Sequence, residues 1–165
     1  MKTLLLFITL GLHLYAGVSQ GDKAPEFTLQ TLDGKKSYTM QNFQGEVVLL
    51  NLWASWCKGC KKEMPEFFAL QKSYTKGFSL VTISVDDKAA KSQNFLKSVE
   101  KKTGIKTPFI TLHDAKKEVA KAYGVAAMPS SYLIDKKGII RAVIVGSLNH
   151  EEIEALKKDI NTLLK

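Results

Sequence analysis

The chain has 165 residues, of which 45% are hydrophobic and 24% charged, with a formal net charge of +8. That length and balance fit one globular domain, large enough to bury a core without staples. The lysines are scattered in pairs such as Lys35-Lys36, Lys61-Lys62, Lys116-Lys117 and Lys157-Lys158 rather than gathered in a block with interleaved aromatics. This argues for a solvated basic surface with weak attraction for anionic membranes or acidic partners, and against nucleic acid as a partner.

Residues 1–19 read as a secretory signal peptide. Lys2 is a minimal positive start, Leu4 to Leu14 form an apolar core, and small residues follow at Ala16, Gly17 and Ser19. The apolar core is too short to span a bilayer comfortably, so cleavage after Ala16 or Ser19 is expected, with an uncleaved anchor as the alternative. No cysteine follows the apolar run, which excludes a lipoprotein anchor. Export would place the protein in a disulfide-forming, periplasmic or otherwise extracytoplasmic compartment. Residues 20–165 then form the domain.

Phe27-Thr28-Leu29-Gln30 and Lys36-Ser37-Tyr38-Thr39 flank Asp33-Gly34, which is a hairpin signal. Asn42-Phe43-Gln44-Gly45 reads as a turn. The apolar run Val47-Val48-Leu49-Leu50-Asn51-Leu52-Trp53 reads as a fully buried strand, and Met64, Phe67, Phe68, Leu70 and Tyr74 fall at roughly helical spacing beyond it. Pro65 lies inside that helix and should kink it.

Between strand and helix stand both cysteines of the chain, in Trp56-Cys57-Lys58-Gly59-Cys60. The first amides of a helix lack intrahelical partners and present partial positive charge, which stabilises a thiolate, the form that attacks disulfides. Cys57 is therefore read as the attacking residue and Cys60, one turn on, as the resolving one. A C-x-x-C has two other readings. Structural zinc wants four ligands, and neither His113 nor His150 has ligand spacing to the pair, so no metal is expected. A purely structural disulfide would close a four-residue loop and remove little chain entropy.

Phe78 to Val85 reads as a second apolar strand ended by Asp86-Asp87, and Phe95, Leu96 and Val99 mark an amphipathic helix from Lys88 to about Lys102. Phe109 to Leu112 reads as a short extended segment and Glu118 to Tyr123 as a brief helix ended by Gly124, with His113 before it as a surface residue. A strand–turn–strand follows over Tyr132 to Val145. The last helix starts at Asn149, a good N-cap, with Glu151 and Glu152 in its first turn and a buried stripe of Ile153, Leu156, Ile160 and Leu163. His150 is expected to be exposed.

Trp53-Ala54-Ser55-Trp56-Cys57-Lys58-Gly59-Cys60 with Pro65 resembles the active-site strand and helix of thioredoxins. More narrowly, with Gly21 to Leu29, Leu32-Asp33-Gly34-Lys35 and Met128 to Asp135, the chain is similar from about Gly21 onward to the extracytoplasmic TlpA/ResA/CcmG-type thiol:disulfide oxidoreductases. Together with the alternation of elements, the resemblance implies an α/β thioredoxin-like fold: a central mixed sheet flanked by helices, with an N-terminal β-hairpin and a central β–α insertion.

The resemblance also implies roles. Cys57 and Cys60 would cycle between dithiol and disulfide, with no cofactor. Pro129 matches the cis-proline that faces the cysteine pair, leaving Met128 backbone groups to pair with a substrate strand; an ordinary trans turn is the plainer alternative. Glu63 would tune proton transfer at the pair, unless it is a solvated carboxylate beside a lysine. Typical thioredoxins carry a buried aspartate where this chain has Asn51. Trp56 would contact substrate, and Trp53 would be core. The implied partners are disulfide-containing exported proteins such as apocytochrome c and a membrane thiol reductase as electron donor, with the protein a monomer. A peroxiredoxin-like peroxidase shares the Ala24-Pro25-Glu26-Phe27 start, but Ala54 stands where peroxidatic sites usually have threonine. A non-catalytic chaperone holding apocytochrome or haem is the third alternative.

Overall fold

In the computed structural model, residues 17–165 are described, so most of the expected signal segment, 1–19, lies outside the described residues. Seven strands form one sheet in the order β2-β1-β5-β4-β3-β6-β7. They are β1 (Thr28–Thr31), β2 (Ser37–Thr39), β3 (Val47–Trp53), β4 (Phe78–Ser84), β5 (Ile110–His113), β6 (Ser130–Ile134) and β7 (Ile140–Val145). The helices are α1 (Lys58–Lys72), α2 (Ala89–Thr103), α3 (Glu118–Ala122) and α4 (His150–Leu164).

The centre of the sheet follows from its composition. Every residue of β3 is buried, as expected of a strand covered on both faces, and β3 pairs parallel with β4 and antiparallel with β6. β4 and α2, the strand and helix expected as the central insertion, lead into β5, which pairs parallel with β4. The N-terminal hairpin joins the sheet by pairing β1 antiparallel to β5. Gly34 takes a positive φ of 69° in the five-residue connection between β1 and β2, a conformation cheap only for glycine among most residues.

The helix ends carry the chemistry their sequence suggests. Asn149 and Glu152 form a reciprocal capping box that fixes the start of α4, whose Ile153, Leu156 and Ile160 are buried. Gly124, at φ 67°, follows α3. The helix α1 continues through Pro65 as one element and packs against α4, α2 and β4. The expected turn near Asn42 is a 3-10 turn over Met40–Phe43.

One histidine differs from its expected place. His113 is half-buried rather than a free surface residue, because β5 carries it beside the end of β4, where its Nε2 lies 2.8 Å from the Asp86 carbonyl oxygen. His150 is exposed and lies 3.0 Å from a Glu66 carboxylate oxygen.

A redox site at the end of the central strand

The central strand β3 delivers the chain to the sheet edge at Trp53, and a tight turn follows, with the Cys57 amide donating to the Ala54 carbonyl at 3.1 Å. Cys57 is the N-cap of α1, with extended backbone (φ −75°, ψ 119°), and its sulfur accepts from the Cys60 amide at 3.1 Å. This is the polarised helix end that stabilises negative charge on sulfur. The two cysteines are joined as a disulfide with their Cα atoms 5.3 Å apart. Cys57 is 5% exposed and Cys60 fully buried. Trp56, at 64% exposure, stands out beside it, while Trp53 is buried in the core.

The chain crosses back to the pair through Met128 and Pro129, whose peptide bond is cis. Pro129 is buried and Met128 half-buried. Gly59 explains the fit of the first helical turn: a Cβ there would lie 3.0 Å from Pro129 Cδ and 3.4 Å from Ser147 Cβ. The first turn of α1 thus rests directly on the proline, and a side chain at Gly59 would force its neighbours to shift. An open groove beside the disulfide is lined by Trp56, Cys57, Lys58, Lys117, Val125 and Met128, among others.

Glu63 lies one turn beyond Cys60 and is fully buried. It is no solvated helix carboxylate. Its Oε1 accepts from Asn51 Nδ2 at 3.1 Å and its Oε2 from the Leu148 amide at 3.1 Å. Burial raises its pKa to about 7, and the bonds from Leu148 and Asn51 hold it from going higher. A carboxyl that half-ionises near neutral pH can both take and return a proton.

Sequence reasoning noted Asn51 only as a residue that cannot titrate. In the fold it is a clamp, since its amide nitrogen also donates to Ser131 Oγ at 2.9 Å, linking β3, α1 and β6. Ser131 and the Leu148 amide gave no signal in the sequence, because their importance depends on tertiary placement. Asp86 was likewise read only as a strand end. It is buried, and both its carboxylate oxygens accept from the Ser55 amide, at 3.2 and 3.1 Å. No group of three or more His, Cys, Asp or Glu residues that could hold a metal occurs among the described residues.

A disulfide capping a helix, opposite a cis-proline on a mixed sheet, defines a thioredoxin-like thiol–disulfide exchange protein. The chain belongs to the AhpC/TSA family, whose model matches residues 20–143. It is 34% identical over 165 residues to the thiol-disulfide oxidoreductase ResA of Bacillus thuringiensis, covering 95% of this chain and 91% of that one. The thioredoxin-like protein YneN of Bacillus subtilis is 36% identical over 138 residues, covering 84% of this chain and 78% of its relative. Among solved structures, one from Chlorobium tepidum described as a thiol:disulfide interchange protein, DsbE, superposes with a TM-score of 0.79 at 33% identity. That match covers 90% of this chain and all of the other. The protein is accordingly an enzyme, a thiol:disulfide oxidoreductase of the ResA/DsbE type. No helix among the described residues is long and apolar enough to cross a membrane.

Proposed function

We propose that this protein is exported and works outside the cytoplasm as a monomeric reductant of disulfides in other exported proteins, including the C-x-x-C-H pair of apocytochrome c. A membrane thiol reductase would return it to the dithiol. The observation that carries this reading is the pairing of an N-capping cysteine with a buried carboxyl whose pKa is about 7.

In the reduced protein the Cys57 thiolate attacks one sulfur of the substrate disulfide. That S–S bond breaks, a mixed disulfide forms at Cys57, and the first substrate sulfur leaves as thiolate and takes up a proton. Cys60 then loses its proton to the Glu63 carboxylate. The Cys60 thiolate attacks Cys57 Sγ, the mixed disulfide breaks, and the second substrate thiolate leaves. Two electrons pass to the substrate and the Cys57–Cys60 disulfide remains. Met128 backbone groups beside Pro129 would pair with the substrate strand, and Trp56 would cover one side of it. Support for a reductant that must deprotonate a buried thiol comes from the burial of both Cys60 and Glu63.

The test is to supply the reduced protein with an oxidised C-x-x-C-H peptide, with oxidised insulin and with hydrogen peroxide. Fast peptide and insulin reduction with negligible peroxide consumption supports the proposal. Peroxide turnover faster than peptide reduction would replace it with the peroxidase reading.

A further inference from the structure

The turn that presents Cys57 is held from behind by a buried carboxylate. Asp86 is 1% exposed, at the end of β4. Its oxygens accept from the Ser55 amide at 3.1 and 3.2 Å, from Ser55 Oγ at 3.0 Å and from Ser92 Oγ, in the first turns of α2, at 2.7 Å. Ser84 Oγ lies 3.3 Å from Oδ2 and 2.6 Å from Ser92 Oγ. The Asp86 amide donates to Ser84 Oγ at 3.2 Å, and His113 Nε2 lies 2.8 Å from its carbonyl oxygen. The Asp86 carboxylate thus ties the Trp53–Cys57 turn to β4 and α2, and its main-chain carbonyl adds β5.

Three aspects of this arrangement point beyond fold stability. The Asp86 carboxylate is clasped by hydroxyls and an amide, and no salt bridge to it occurs among the described residues. Lys91, which feels the Asp86 charge, already pairs with Asp87 at 2.7 Å. And the residue it grips, Ser55, is two positions before Cys57, the N-cap of α1.

We propose that Asp86 is a positioning residue that also sets the reducing strength of the pair, by holding a fixed negative charge behind Cys57. The inference rests on the exchange function proposed above. The sign follows from electrostatics. The helix N-terminus favours the Cys57 thiolate, and a nearby anion opposes it. A less stable thiolate makes the dithiol a stronger reductant, because stabilising the reduced form is what makes a pair oxidising. The hydroxyl and amide donors keep the charge in place and spread it without cancelling it.

The groups facing Asp86 are the Ser55, Ser84 and Ser92 hydroxyls, His113 at its main chain, and Lys91, whereas Glu63 bonds to Asn51 and Leu148, so a change in Asp86 can be separated from the titration of Glu63. The experiment compares the full chain with Asp86→Asn and Ser92→Ala. Cys57 alkylation is followed from pH 5 to 9, and the dithiol–disulfide equilibrium is measured against glutathione. Asp86→Asn keeps an acceptor for the Ser55 amide and removes the charge. It should speed alkylation at pH 6 by about threefold or more while leaving the high-pH plateau in place, and shift the equilibrium with glutathione toward dithiol by a similar factor. Ser92→Ala removes a donor and keeps the charge, so it should slow alkylation at pH 6 and move the equilibrium the other way.

Shifts of the same sign in both variants, or no shift in Asp86→Asn, would overturn the proposal and leave Asp86 as a structural tether. Should Asp86→Asn not fold, Ser92→Ala decides alone: faster or unchanged alkylation at pH 6 overturns the idea. Wild-type protein that does not exchange with glutathione at all refutes the exchange function itself, a result separate from either outcome.

Discussion

Asn51 Nδ2 donates to Glu63 Oε1 across 3.1 Å inside the core, joining the middle of β3 to the active-site helix. The neutral amide takes the place in β3 where a second carboxylate would have competed with Glu63 for the same proton. Of these two residues only Glu63 titrates, and its pKa of about 7 is set by burial. The opposite edge of the same amide, Asn51 Oδ1, is buried without a hydrogen-bond partner. The clamp is therefore under-satisfied as well as central.

Stability should fall with rising pH across the titration of Glu63. Its carboxyl has an ordinary value of 4.5 and a folded value of about 7. Between those values the folded protein holds a proton that the unfolded chain has already lost, so folding is favoured most at low pH. The loss on going from below pH 4.5 to above pH 7 is at most about 3 kcal/mol. Thermal melts of the oxidised protein from pH 4.5 to 8 should show this fall, and Glu63→Gln should flatten it. Equal slopes for both proteins would remove Glu63 as the source.

Asn51→Asp should push that titration further up. Two buried carboxyls sharing one site cannot both ionise cheaply, so one proton is retained to higher pH. The expected readout is an exchange rate that rises at a higher pH than in the parent, together with a stability loss greater at pH 8 than at pH 6. An exchange profile that coincides with the parent's would mean that position 51 does not feel Glu63.

Gly59→Ala should cost stability and slow exchange. Its Cβ would come within 3.0 Å of Pro129 Cδ and 3.4 Å of Ser147 Cβ, so either the first turn of α1 or the proline segment must move. Overpacking of this kind costs about 1–3 kcal/mol. Denaturant unfolding gives the stability change, and insulin reduction gives the rate. A variant as stable and as fast as the parent would show that this junction yields freely.

Much of this was legible in the sequence because it is local. A seven-residue apolar strand, a C-x-x-C at a helix start and an Asn-x-x-Glu capping box at Asn149 each state their structure within a few positions. Glu63 was harder. Its offset from Cys60 showed where it sits on α1 but not whether that face meets solvent or β3, and the Leu148 amide that holds it comes from 85 residues away. His113 was expected at the surface, and the bonds of Asp86 beyond the strand end went unseen, for the same reason. Their bonds join β4, β5 and the active-site turn, and such cross-element pairings leave no periodic trace in the chain.

Cys60→Ala should trap the substrate, and this is the sharpest test of the order of attack. Only Cys57 has any exposed surface, and it alone caps the helix, so it should carry the mixed disulfide. Without a second thiol nothing resolves that adduct, and it should accumulate on non-reducing gels of the exporting cell. Cys57→Ala should trap little, because Cys60 is fully buried. Pro129→Thr in the Cys60→Ala background should change which proteins are caught, since a β-branched residue with an N–H would alter the segment that docks the substrate backbone. Cytochrome c precursors or a membrane thiol reductase among the adducts would support the maturation role. A broad mixture of exported proteins would favour a general oxidoreductase. If correctly exported Cys57→Ala protein traps as much as Cys60→Ala, the roles of the two cysteines must be exchanged, and if neither traps anything the exchange mechanism fails.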